Sequence, residues 1–107
     1  MDSRSKVHEL LCNIMNMVIP NGDKRVYFQP PESKKIEYPA IIYYRSDIDN
    51  VSADNKVYRQ TFFYEITVID ADPDSELVKK ISALPRCRFN RHYTADNLNH
   101  DIFTLYI

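Results

Sequence analysis

An α+β fold, two helices packed on one face of a mostly antiparallel sheet, is predicted by three features of this 107-residue sequence. Apolar residues recur at helical spacing over residues 1–19, and apolar and polar residues alternate over 57–70. A short helical pattern with start and stop signals then stands between strand-like runs. The elements follow one another as α-β-β-β-α-β-β. No internal repeat, low-complexity tract or linker interrupts them, so residues 1–107 read as a single domain.

From Met1 to Ile19, the residues Val7, Leu10, Leu11, Ile14, Met17 and Val18 form one apolar stripe. Asp2 or Ser3 supplies the N-cap, and Pro20-Asn21-Gly22 stops the helix. Val26 to Gln29 is a short strand closed by Pro30-Pro31, and Glu32 to Tyr38 is a polar loop. Ala40 to Arg45 is a continuous β-branched and aromatic run, the mark of a central strand. The stretch from Ser46 to Lys56 holds three acids and two asparagines and reads as an exposed loop.

Val57 to Asp70 is the clearest strand, long enough to project beyond its neighbours. Tyr58, Phe62, Tyr64, Ile66 and Val68 share one face, interrupted by Gln60; Arg59, Thr61, Glu65 and Thr67 share the other, with Phe63 the exception. For the second helix, Asp72 is the expected N-cap and Pro73 the first helical residue, with Asp74 and Glu76 favouring the positive dipole end. Leu77, Val78, Ile81 and Leu84 form its apolar stripe, and Pro85 ends it. Cys87 to Tyr93 and Ile102 to Ile107 are the last two strands.

Composition removes most function classes. With 14 Lys+Arg against 15 Asp+Glu, a net charge of −1 creates no overall field for nucleic acid or anionic lipid. Gly22 is the only glycine, whereas phosphate-cradling loops need at least two. No apolar run approaches the roughly 20 residues of a membrane span, and no signal h-region follows Met1, so a soluble, cytosol-made domain is expected. Cys12 and Cys87 stand far apart with no CxxC, which favours free thiols. His8, His92 and His100 are scattered, so neither a metal cage nor a cofactor is expected, and no constellation suggests an enzyme.

Three local patterns carry a chemical reading. Asp70, Asp72 and Asp74 resemble the opening of a calcium loop, but Ser75 stands where that loop needs glycine and Ile81 where it needs glutamate. A strand end leading into a helix cap explains the acids better. His100 beside Asp101 invites a general-base reading, against which the Asp96-Asn97-Leu98-Asn99 run favours Asx-type turn formation. Finally, Lys79, Lys80, Arg86, Arg88 and Arg91 form a basic stretch just after four acids at 70–76. Segregated charge of this kind steers protein–protein contact, including head-to-tail contact with a copy of the chain. It marks Asp72, Asp74, Arg86 and Arg88 as candidate interface charges. A nucleic-acid-binding accessory domain, using Arg86, Arg88 and Arg91 with Phe89 and Tyr93 as stacking platforms, is the alternative from a different class.

Tyr38-Pro39 entering a hydrophobic strand, Ala53-Asp54-Asn55, Tyr58, Thr67-Val68-Ile69-Asp70, Asp72-Pro73-Asp74-Ser75, Leu84-Pro85, and the run from Phe89 and Arg91 to Asp96-Asn97-Leu98-Asn99-His100-Asp101 occur in this order. In that order and spacing they resemble the small tail-terminator, or tail-completion, proteins of long-tailed bacteriophages and prophages of low-GC Gram-positive bacteria. The resemblance covers roughly residues 36–107. It implies a non-enzymatic virion protein that forms a ring, commonly a hexamer, at the head-proximal end of the tail tube. Such a ring ends tube polymerisation and offers a docking face to the neck proteins of the head. The implied partners are copies of the chain, the major tail tube protein and the head–tail connector. The implied location is the host bacterial cytoplasm during assembly, then the tail–head junction of the virion. A neighbouring head-closure or adaptor-type neck component is the near alternative. The resemblance brings no catalytic residues, cofactor or metal. Asp54 and Asn55, within the polar Ser46–Lys56 segment, join the candidate subunit or tube contacts.

Overall fold

The computed structural model describes residues 3–53 and 56–107. Its elements are α1 (Ser3–Val18), a 3-10 turn (Gly22–Arg25), β1 (Val26–Phe28), β2 (Ala40–Ala53), β3 (Lys56–Asp70), α2 (Glu76–Ser82), β4 (Cys87–Ala95) and β5 (Leu98–Tyr106). The strands form one sheet in the order β1-β2-β3-β5-β4. Only β1 runs parallel to its neighbour; the other three pairings are antiparallel. This is the α+β architecture expected, with the elements in the expected order.

Register shows why both helices lie on one face. Ile41 pairs with Val68, Tyr43 with Ile66, Ile66 with Phe103, and Tyr64 with Leu105. Directly opposed residues share a face, so these side chains form one apolar floor. They join a single buried cluster with Val7, Leu11, Ile14 and Met15 of α1 and Leu77 and Ile81 of α2. Each such fully buried side chain contributes about 1.5–3 kcal/mol. The Tyr43 ring lies against Phe28, Tyr64 and His8 at centroid distances of 5.0, 6.2 and 5.7 Å. Its hydroxyl shares a 2.6 Å hydrogen bond with His8 Nδ1, which satisfies the one polar atom this large core residue buries. Burial pushes the Tyr43 phenol up to about 12.

The α1 stripe departs from expectation at one flank. Met17 is 69% exposed, and Met15 is wholly buried in its place. On a helical wheel these two lie roughly 80° to either side of Val7, so the stripe alone does not choose between them. The chain's return chooses. Gly22 passes so close to Met15 that a Cβ built on it would stand 2.5 Å from Met15 Cγ and 3.0 Å from the Met15 carbonyl oxygen. The left-handed residue of that turn is Asn21, at φ 58°. Ser3 is already helical, and Asp2 lies outside the described residues.

The second helix starts later than its acids suggest. Ser75, not Asp72, is the N-cap: its hydroxyl accepts from the Leu77 N–H at 3.2 Å and is 96% shielded with the rest of the residue, which is 4% exposed. The helix ends at Ser82 with Ala83 as C-cap, ahead of Pro85. At the other end of the sheet, β5 begins at Leu98 rather than Ile102, because Asp96 and Asn97 alone make the turn. Both have positive φ, 54° and 63°, and Ala95 pairs with Leu98, the geometry of a two-residue type I′ hairpin.

Candidate assembly interface

The stretch expected as a loop over Ser46–Lys56 is strand on both sides of residues 54 and 55. The β2–β3 ladder continues past Arg45–Tyr64 through Ile48–Phe62, Asn50–Gln60 and Val51–Arg59 to Ala53–Lys56. Acids, serines and asparagines have poor strand propensity, which hid it; the ladder to β3 overrides that preference. Asp54 and Asn55 themselves, and the side chain of Tyr58, lie outside the described residues.

This hairpin leaves the body of the sheet at a definite point. Phe62 N–H donates to the Ile107 carbonyl and Ile107 N–H donates to the Phe62 carbonyl, both at 3.0 Å, closing the β3–β5 pairing. Beyond it, residues 47–53 and 56–61 form a two-stranded arm, and the molecule measures 51 × 29 × 26 Å. Every side chain from Tyr44 to Ser52 is exposed, including Ile48 and Val51 at 42% each. Register shifts at Arg45/Asp47 and Val51/Ser52 mark bulges, which bend and twist the ribbon. A bare two-stranded ribbon gains little stability by itself.

The candidate acids are engaged locally. Asp72 N–H donates to the Asp70 carboxylate at 3.0 Å, and Asp74 N–H donates to the Asp72 carboxylate at 2.9 Å. These successive Asx turns lead the chain from β3 to the Ser75 cap. Asp74 also meets Lys79 Nζ at 3.4 Å, and Lys79 lies 3.6 Å from Glu76. The hydrogen bond and charge of Asp74 raise the Lys79 ammonium above its ordinary value. Asp72 and Asp74 therefore organise a turn, and their pairing with Arg86 or Arg88 is not seen among the described residues.

The candidate arginines lie on the far edge of the sheet. Arg86 holds a left-handed conformation, φ 63°, at the entry to β4. Arg88 pairs with Thr104 and Arg91 with Ile102, with Asn90 bulged out between them, so both point away from the helices. Among the described residues Arg86, Arg88 and Arg91 make no ion pair. Arg91 does act through space on Tyr44, whose hydroxyl donates to the Glu65 carboxylate; that hydrogen bond raises the phenol and the Arg91 charge opposes it. Phe89 falls on the opposite face, edge-on to Phe103 at 5.5 Å, while Tyr93 stacks on His100 at 4.6 Å on the arginine face.

His100 and Asp101 do not form a pair. His100 shares a 3.2 Å contact with the Leu98 carbonyl, and Asp101 instead meets His92 Nδ1 at 2.9 Å across the hairpin. Cys12 and Cys87 are free thiols, half-buried, and burial raises both above the ordinary thiol range. Among the described residues no group of three or more His, Cys, Asp or Glu side chains is placed to hold a metal ion, and no helix is long and apolar enough to cross a membrane.

Two acids escaped the sequence reading: Asp47 and Asp49. Their partners are Phe63 and Thr61, which places both on the face opposite the helices. The alternation Asp47-Ile48-Asp49 is a strand pattern, masked by the asparagine and serine that follow. Comparison of the sequence with protein-family models and with characterised proteins finds no match.

Proposed function

We propose that this chain is a non-enzymatic assembly protein of a phage or prophage virion, a tail-terminator-like subunit. Its copies form a ring, of the hexameric kind the resemblance implies, at the head-proximal end of the tail tube. The ring stops tube growth and presents a docking face to the neck proteins of the head. It assembles in the host bacterial cytoplasm and remains at the tail–head junction.

The observation that carries this reading is the arm. A chain of 107 residues commits residues 47–53 and 56–61 to a ribbon whose described side chains are exposed, apart from half-buried Thr61. Exposed strand edges and exposed Ile48 and Val51 are a liability in a monomer and a resource in a ring. The nucleic-acid alternative is less well supported, because Phe89 lies on the opposite face from Arg88, Arg91 and Tyr93, which splits the proposed stacking platform.

The test is binding of the purified chain to tail tubes and, separately, to portal–adaptor complexes, followed by electron microscopy. Capping of tubes at one end supports the tail-terminator reading. Binding to portal–adaptor complexes alone assigns the chain to the neighbouring neck component instead.

A further inference from the structure

We infer that copies of this chain join head to tail by strand addition, the acidic outer edge of the β2 arm of one copy pairing with the basic outer edge of β4 of the next. The inference rests on the ring-forming reading above and specifies its contact.

Both edges are open and of similar length. On the β2 side, β1 covers only Ile41, Ile42 and Tyr43, which leaves the outer edge of residues 44–53 without a partner strand among the described residues. On the far side, β4 pairs through Cys87–Ala95 with β5 alone and is exposed along nearly its whole length. Direction also fits. The three antiparallel steps from β2 through β3 and β5 set β4 antiparallel to β2 within the chain. A copy displaced sideways along the sheet, helices still on the same side, therefore presents β4 antiparallel to the neighbouring β2. Such a heterologous contact repeats, and it closes into a ring when its rotation allows.

Charge selects the partner edges. Asp47 and Asp49 stand two residues apart on the face opposite the helices. Arg88 and Arg91 are three apart in sequence, but the bulged Asn90 brings them to the spacing of alternate residues on that same face. Antiparallel pairing places Arg91 opposite Asp47 and Arg88 opposite Asp49. The other edge of the arm carries Lys56 and Arg59, which repel β4. The arm thus has one edge that attracts the basic strand and one that refuses it.

The experiment is sedimentation of the full chain and two double variants, D47K/D49K and R88E/R91E, each shown by circular dichroism to fold. The wild type gains mass with concentration, and each variant alone associates about 100-fold more weakly, since two like charges then face two. Mixing the two variants restores association, because lysines on one arm meet glutamates on the other β4. The inference is overturned if the wild type stays monomeric up to about 1 mM. It is equally overturned if either variant alone assembles as tightly as the wild type, if mixing restores nothing, or if a third double variant, K56E/R59E, replaces R88E/R91E as the rescuing partner. Tube capping by the wild type is scored separately. A chain that caps tubes without sideways pairing sinks the edge assignment and leaves the tail-terminator reading standing. Rescue on mixing without capping does the reverse.

Discussion

Near their root, β2 and β3 lie between β1 and β5 beneath both helices, and there Tyr43, Tyr64 and Ile66 are wholly buried. Beyond Arg45 and Phe62 the same two strands continue with only each other as partners among the described residues, and the side chains of residues 44–52 are all exposed. One pair of strands thus has a half that holds the fold and a half that the fold does not use. Backbone hydrogen bonds run through both. What separates them is burial of apolar surface, which supplies stability in the root and is absent among the described side chains of residues 47–52.

Substitutions sharpen that contrast. Phe103→Ala, in the floor beneath the helices, is expected to cost about 3–5 kcal/mol by denaturant unfolding. Ile48→Ala, in the arm, is expected to change stability by less than about 0.5 kcal/mol. Comparable losses at the two sites would show that the arm packs on something within the chain. Gly22→Ala comes next, at about 1–3 kcal/mol, because its Cβ meets Met15 at the bottom of α1 and part of that obstacle is backbone.

Ser75→Ala removes a shielded cap hydroxyl and is expected to cost about 1 kcal/mol, a fall in Tm of about 5 °C. Asp72→Ala, by contrast, removes only an Asx-turn acceptor and should cost less than Ser75→Ala; a larger effect at Asp72 would return the cap to it. One effect is a gain. Asn97→Gly suits the second left-handed position of the β4–β5 turn and is expected to stabilise by about 0.5 kcal/mol in the same melts.

The parts of the fold legible in the sequence are those where burial alone sets the pattern. Tyr64, Ile66 and Val68 alternate as a half-buried strand must, and Val7, Leu11 and Ile14 mark the middle of the α1 stripe. The misread parts depend on tertiary neighbours. Met15 rather than Met17 is buried because the chain returns past Gly22, an approach that no helical wheel contains. Ser75 rather than Asp72 caps α2 because the Asp70–Asp72–Asp74 turns occupy the residues before it. The arm was hidden for a different reason. Exposed on both faces, residues 46–52 show no apolar alternation, and their strand character comes from pairing with β3. The same gap hid Asp47 and Asp49 and promoted Asp72 and Asp74, whose carboxylates are engaged locally, Asp72 in a turn and Asp74 with Lys79. Arg88 was legible as a basic strand residue; its alignment with Arg91 needed the Asn90 bulge.

The most direct measurement shortens the arm. Residues 49–61 are replaced by Asn-Gly, joining the paired residues Ile48 and Phe62 by a two-residue turn. Tail tubes are then polymerised with the wild-type or the shortened chain, and their ends are scored by electron microscopy. The wild type is expected to cap the tubes. The shortened chain is expected to keep its Tm and to leave the tubes uncapped and growing. Capped tubes in the presence of a folded, shortened chain would contradict the assignment of the arm to assembly.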